Sequence, residues 1–119
     1  QAFEAEVRSC AMFLARLTKA KRLENYKIEF DSENFEWVKL TVWARGCTGK
    51  MEIERTKGAN PQVFGRSLNV LTHDLLEQLS RRIEFDIVKG IRYRSGGANN
   101  GKPLQGRRRH GDRIRTRLT

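Results

Sequence analysis

Two groups of residues in this 119-residue chain have the types and spacing to do chemistry. The first is cationic. Arg92, Arg94, Lys102, Arg107, Arg108, Arg109, Arg113, Arg115 and Arg117 stand against a single acid, Asp112, so residues 92–119 carry +8 of the formal net charge of +10. A guanidinium meets phosphate through two parallel N–H donors and stacks on an exposed base. Arg107-Arg108-Arg109-His110 and the alternation Arg113-Ile114-Arg115-Thr116-Arg117 are therefore suited to a chain of phosphates, and Gly96-Gly97 and Asn99-Asn100-Gly101 supply turns for following an irregular RNA surface. Arg55 and Lys57 precede the start of a predicted helix, where free backbone N–H groups favour an anion.

The second group is acidic. Glu29, Asp31, Glu52 and Glu54 fall at alternate positions of strand-like segments, and carboxylates on neighbouring strands can share a divalent cation, as a small metal-dependent nuclease requires. No lysine or histidine stands at a telling spacing beside them. His73 and Asp74 are adjacent on a predicted helix and so point in different directions, while His110 lies inside the arginine run. The chain has no phosphate-binding glycine loop, no histidine pair at metal spacing and no recognisable nucleophile elbow. Cys10 and Cys47 lack the short spacing of zinc ligands and read as free thiols. The sequence thus reads as a non-enzyme with no catalytic residues, metal or cofactor.

The elements that must position these residues follow from hydrophobic periodicity. Phe3, Val7, Cys10, Ala11, Leu14 and Leu17 recur every three or four positions and predict a helix from about Ala2 to Arg22. Arg16, Lys19, Lys21 and Arg22 crowd its last turns, where cations suit the helix dipole. The period then becomes two: Tyr26, Ile28 and Phe30; Val38, Leu40, Val42 and Ala44; and Met51 and Ile53, with turns at 32–34 and 46–49. Phe64, Leu68, Leu71, Leu75 and Leu79 predict a second helix over Gln62 to Arg82, opened by Asn60-Pro61. Ile83, Phe85 and Ile87 return to period two and predict a strand. The fold class is α+β: helix, three-stranded antiparallel meander, helix, short C-terminal strand, then a basic extension. The division is a globular domain over 1–91 and an Arg/Gly-rich extension over 92–119, and removing 95–119 is expected to leave the fold intact.

One face of the meander is aliphatic and must be covered by the helices. The other carries Trp37, Lys39, Thr41, Trp43 and Arg45 along one strand. Interleaved rings and cations suit single-stranded nucleic acid, in which bases stack and phosphates pair. A tryptophan-bearing face equally suits a protein partner or self-association, and Glu29, Asp31, Glu52 and Glu54 share it, where they pair with Lys39 and Arg45 or repel phosphate. Docking of protein is the favoured reading of the four residues Trp37, Lys39, Trp43 and Arg45, base stacking the second, and partial burial the third.

The order of helix, three antiparallel strands and helix over residues 3 to 82 resembles the double-stranded RNA-binding domain. The resemblance is one of topology. The loop Asp31-Ser32-Glu33-Asn34 lacks that family's Gly-Pro-x-His pattern, and the second helix opens with Asn60-Pro61-Gln62 rather than lysines, so none of its binding residues is carried over. A small sheet-and-helix body with a basic extension also resembles the general build of ribosomal proteins. The sequence therefore leads to an RNA-binding subunit of a larger ribonucleoprotein, with a stand-alone oligomeric nucleic-acid-binding protein of viral or plasmid type, or a small nuclease, as alternatives. RNA is favoured over DNA. No apolar run approaches the roughly 20 residues of a membrane span and the start lacks a signal-peptide pattern, so a soluble, intracellular protein without a membrane partner is expected.

Overall fold

The structure, a computed structural model, describes residues 2–55, 61–91 and 112–119. Its elements are α1 (Ala2–Lys19), β1 (Asn25–Phe30), β2 (Trp37–Ala44), β3 (Cys47–Arg55), α2 (Pro61–Ile83) and β4 (Asp112–Leu118). All four strands form one antiparallel sheet in the order β1-β2-β3-β4. The two helices pack against each other and cover one face of it. The α+β order of helix, meander, helix and C-terminal strand is the observed one.

The C-terminal strand is not where the sequence placed it. Ile83 ends α2, and residues 84–90 form turns. The strand is Asp112–Leu118, which pairs with β3 from Arg55↔Asp112 to Gly49↔Leu118. Thr119 extends the ladder, exchanging two 2.8 Å backbone hydrogen bonds with Thr48. The end of the basic segment is thus part of the sheet, and a boundary at residue 91 does not mark the end of the fold.

The core lies between the helices and the sheet. Phe3, Phe13, Leu14 and Leu17 of α1 and Leu68, Leu75, Leu76 and Leu79 of α2 meet Val38, Leu40 and Val42 of β2 and Met51 and Ile53 of β3, all of them buried. Ile114 and Leu118 of β4 pack on its margin. Strand alternation makes this possible: inward residues sit at every second position, and their neighbours face away.

Both helices end on a residue in the left-handed region, Lys21 at φ 64° and Glu84 at φ 53°. The Arg22 N–H donates to Leu17 O at 2.8 Å and the Lys21 N–H to Thr18 O at 3.0 Å; Phe85 and Glu84 repeat the pattern on Ser80 O and Arg81 O. These are Schellman terminations, built without the usual glycine. Arg22 then ties the two ends together, its Nη1 donating at 3.2 Å to the carbonyl oxygens of Asp86 and Ile87. Of the basic cluster at the end of α1, Arg22 therefore has a structural role.

A polar seam runs along the helix pair. The Cys10 thiol lies 3.3 Å from the Thr72 hydroxyl, and burial pushes it up to about 12. Among the described residues the buried Glu6 Oε2 and Asn69 Oδ1 find no hydrogen-bond partner, and partial burial raises the Glu6 carboxyl above its ordinary value. A carboxyl raised on folding stabilises the fold below its unfolded pKa and loses that contribution as pH rises through the folded value. Glu6→Gln should therefore raise the melting temperature at pH 7 and leave it unchanged at pH 4. The gain is under about 1 kcal/mol, because the side chain is only half buried and solvent screens it. Thermal denaturation at the two pH values checks this; an equal shift at both would assign the effect to packing.

Candidate nucleic-acid interface

Among the described residues no element covers the face turned away from the helices. Strand register sets its side chains in four rows. The first holds Asn25, Trp43, Thr48 and Thr119. The second holds Lys27, Thr41, Lys50 and Arg117; the third Glu29, Lys39, Glu52 and Arg115; and the fourth Trp37, Glu54 and Arg113. The rows lie about 7 Å apart along the strands, and each full row spans about 14 Å across them. Six cations and three carboxylates project from the strands on this face, a balance of +3.

The charges are not mixed evenly. All three carboxylates lie in the third and fourth rows. There Arg113 meets Glu54 at 4.0 Å, and Glu52 has Lys39 on one side and Arg115 on the other. These are exposed pairs, each worth at most about 1 kcal/mol. The second row contains no acid. Lys50 and Arg117 face each other directly, both are exposed, and among the described residues neither makes an ion pair. Lys27 reaches only the exposed Glu29 on its own strand, at 3.8 Å. Like charges directly opposite each other in a sheet are destabilising.

The aromatic residues are likewise separated. Trp37 and Trp43 point the same way from β2, six residues and about 20 Å apart. The Lys39 ammonium lies 5.3 Å from the Trp37 ring, and Glu54 is the cross-strand neighbour of Trp37. Trp43 has only uncharged cross-strand neighbours, Asn25 and Thr48. Both indoles are partly buried.

Arg45 does not belong to this face. The β2–β3 connection is the two-residue loop Arg45-Gly46, with φ 49° and 82°, the left-handed pair that two-residue hairpins adopt. It is not a turn over 46–49, since Cys47, Thr48 and Gly49 are already in β3. The Arg45 guanidinium lies 3.9 Å from the Phe85 ring centroid, where Arg22 also approaches at 5.9 Å. Arg45 closes the end of the sheet over the turn after α2 instead of standing beside Trp43.

Of the other cations singled out in the sequence, Arg113, Arg115 and Arg117 are brought to the open face. Arg55 ends β3 opposite Asp112. Lys57, Arg92, Arg94, Lys102, Arg107, Arg108 and Arg109 lie outside the described residues. Lys50 and Lys27 join Arg113, Arg115 and Arg117 on this face, as their alternation with Met51 and Ile28 requires.

The carboxylates are not gathered for metal chemistry. Glu29 and Glu52 are held apart by Lys39, the cross-strand partner of both. Asp31 is engaged in the β1–β2 loop, where its Oδ1 accepts from the N–H groups of Glu33 and Asn34 at 3.1 and 3.0 Å and its Oδ2 from Glu36 at 3.4 Å. Among the described residues no group of three or more His, Cys, Asp or Glu side chains is placed to hold a metal ion. His73 stacks on Phe13 with ring centroids 5.2 Å apart, and burial lowers its pKa against the opposing pull of Glu77. It is a packing residue of the helix seam. No helix among the described residues is long and apolar enough to cross a membrane.

Fold and face together define a two-layer α+β protein with an open, net-basic sheet surface. No family model, curated protein or solved structure matches the chain.

Proposed function

We propose that the protein is a non-enzymatic RNA-binding protein, a subunit of a larger ribonucleoprotein, that binds phosphates through the arginines of residues 92–119 and through its open sheet face. The observation that carries this reading is the placement of β4, which lines up Arg113, Arg115 and Arg117 on that face beside Lys50. The concentration of +8 in residues 92–119 supports it independently. The same placement argues against the tryptophan face as a subunit interface between identical copies, since each copy brings a surplus of positive charge. The nuclease reading loses support because Lys39 separates Glu29 from Glu52.

The test is salt dependence. With about six phosphates of a single strand neutralised, log affinity should fall against log salt with a slope of roughly −4. Changing Arg113, Arg115 and Arg117 together to Gln removes three of these contacts and should bring the slope to roughly −2. All three side chains are exposed, so circular dichroism and melting temperature should be preserved. A slope near zero, or one that the triple variant leaves unchanged, would reject this interface.

A further inference from the structure

Resting on that reading, we infer that the open face is a site for an unpaired strand, with Trp43 as the stacking platform and Lys50 and Arg117, assisted by Lys27, as the phosphate contacts beside it. The site occupies the half of the face made by the first two rows and excludes Trp37.

Two observations select this half, and a third shows that its size suits the ligand. The first is charge. The second row carries three cations and no carboxylate, and its Lys50 and Arg117 stand opposed with no acid between them. A bound phosphate relieves that repulsion, whereas in the third and fourth rows Glu29, Glu52 and Glu54 meet an incoming strand. The second is the ring. Trp43 is partly exposed between uncharged Asn25 and Thr48, one row from the cations. Trp37 already has the Lys39 ammonium against its ring and Glu54 at its side. The third is scale. The basic row spans about 14 Å over four strands, and a four-stranded sheet of this width accommodates two or three stacked bases.

An unpaired strand fits these features better than a duplex. In a duplex the base faces are stacked on one another and unavailable to an indole, so a duplex would use the cations and leave Trp43 idle. A single strand turns its bases outward, and stacking on an aromatic ring with phosphates on adjacent cations is sequence-tolerant. A protein partner would bury both indoles and would not need the acid-free row.

The chain contains two tryptophans, so Trp37→Phe leaves Trp43 as the only indole. In that variant of the full chain, a 12-nucleotide oligouridylate should quench tryptophan fluorescence, and a 12-base-pair RNA duplex should not. Trp43→Leu, which keeps apolar bulk without the ring, should weaken oligouridylate binding about tenfold and leave duplex binding unchanged. Trp37→Leu should change either by less than about twofold, and Trp43→Phe should restore most of the loss. Lys50→Gln with Arg117→Gln should reduce affinity for the single strand further. If Trp43→Leu leaves oligouridylate affinity intact while the β4 arginine variant weakens it, the phosphate-binding reading stands and the stacking site is overturned. If no variant and no probe shows binding, both fall. If the tryptophan variants alter the molecular mass in light scattering and not the RNA affinity, the face is a protein interface and the inference is overturned. A deoxythymidylate probe of equal length bound as tightly would support the site and assign its ligand to single strands of either sugar.

Discussion

A chain ended after residue 111 is expected to lose a measurable part of its folding stability, while Arg113, Arg115 and Arg117, all exposed, changed together to Gln lose little. The truncation removes seven register pairs with β3 and the two hydrogen bonds between Thr119 and Thr48. It also withdraws Ile114 and Leu118 from the margin of the core, beside Met51 and Ile53, which are 2% and 1% exposed in the intact sheet. The backbone freedom that the seven strand residues regain opposes these losses, yet even a small net loss is a sizeable share of the roughly 5–15 kcal/mol typical of a domain. Urea denaturation of the two variants would show it as a lower midpoint for the truncation. Equal midpoints would mean that β4 is an accessory to the fold. This pairing argues against the expectation that residues 95–119 can be removed with the fold intact, and RNA-binding tests should use arginine substitutions in place of deletion.

In the sequence β4 looks like part of a tail for a definite reason. Ile114, Thr116 and Leu118 do alternate with Arg113, Arg115 and Arg117, but only Ile114 and Leu118 are apolar, and the surrounding charge outweighs a two-residue signal. The strand exists because β3 offers an open edge next to a core that Leu118 can complete, a non-local fact that composition does not carry. The opposite error occurred at Ile83, Phe85 and Ile87. Their period of two comes from a helix end and turn, and the termination was hidden because Glu84 occupies the left-handed position where a glycine would have announced it. In contrast, α1, the meander and α2 were legible, since each has a long periodic stripe that becomes the buried face.

The candidate site was legible in one dimension only. Alternation along β2 assigned Trp37, Lys39 and Trp43 to one face correctly. It failed at Arg45 because the strand ends one residue earlier, and the tight hairpin turns that side chain onto Phe85. Which residues stand beside each tryptophan depends on register, and register depends on where the turn falls. Placing the turn at Arg45-Gly46 makes Thr48 the neighbour of Trp43 and Lys50 the neighbour of Thr41. The acid-free row and its separation from Glu52 and Glu54 then follow, and no reading of a single strand could supply them.

Replacing Gly49 with Val should cost about 1–3 kcal/mol, through the contact that docks β4. Gly49 is buried in β3 between Val42 and Leu118, and it reads as a turn residue in the sequence although its place is inside a strand. A β-carbon there would meet Leu75 Cδ1 and Val42 Cγ2 at 3.3 Å and Leu118 Cδ2 at 3.4 Å. Alanine therefore demands shifts of a few tenths of an ångström, and the extra methyl groups of valine cannot fit unless Leu118 or Leu75 moves. Leu118 is the easier to displace, since it lies at the end of an edge strand and is only partly buried, whereas Leu75 is 1% exposed. The strain should therefore be relieved by detaching the end of β4. Combining Gly49→Val with Leu118→Ala should cost less than the sum of the two, with a coupling of about 0.5–2 kcal/mol in a double-mutant cycle. Hydrogen exchange at the Thr119 amide, which donates to Thr48 O, should quicken in Gly49→Val before exchange in β2 does. Strict additivity, with protection at Thr119 unchanged, would place the cost on Val42 and Leu75 and remove Leu118 as the anchor of β4. Should the coupling appear, the same glycine that lets Leu118 seat against the core also sets the register that brings Arg117 opposite Lys50, so Gly49→Val should weaken single-strand binding as well as stability.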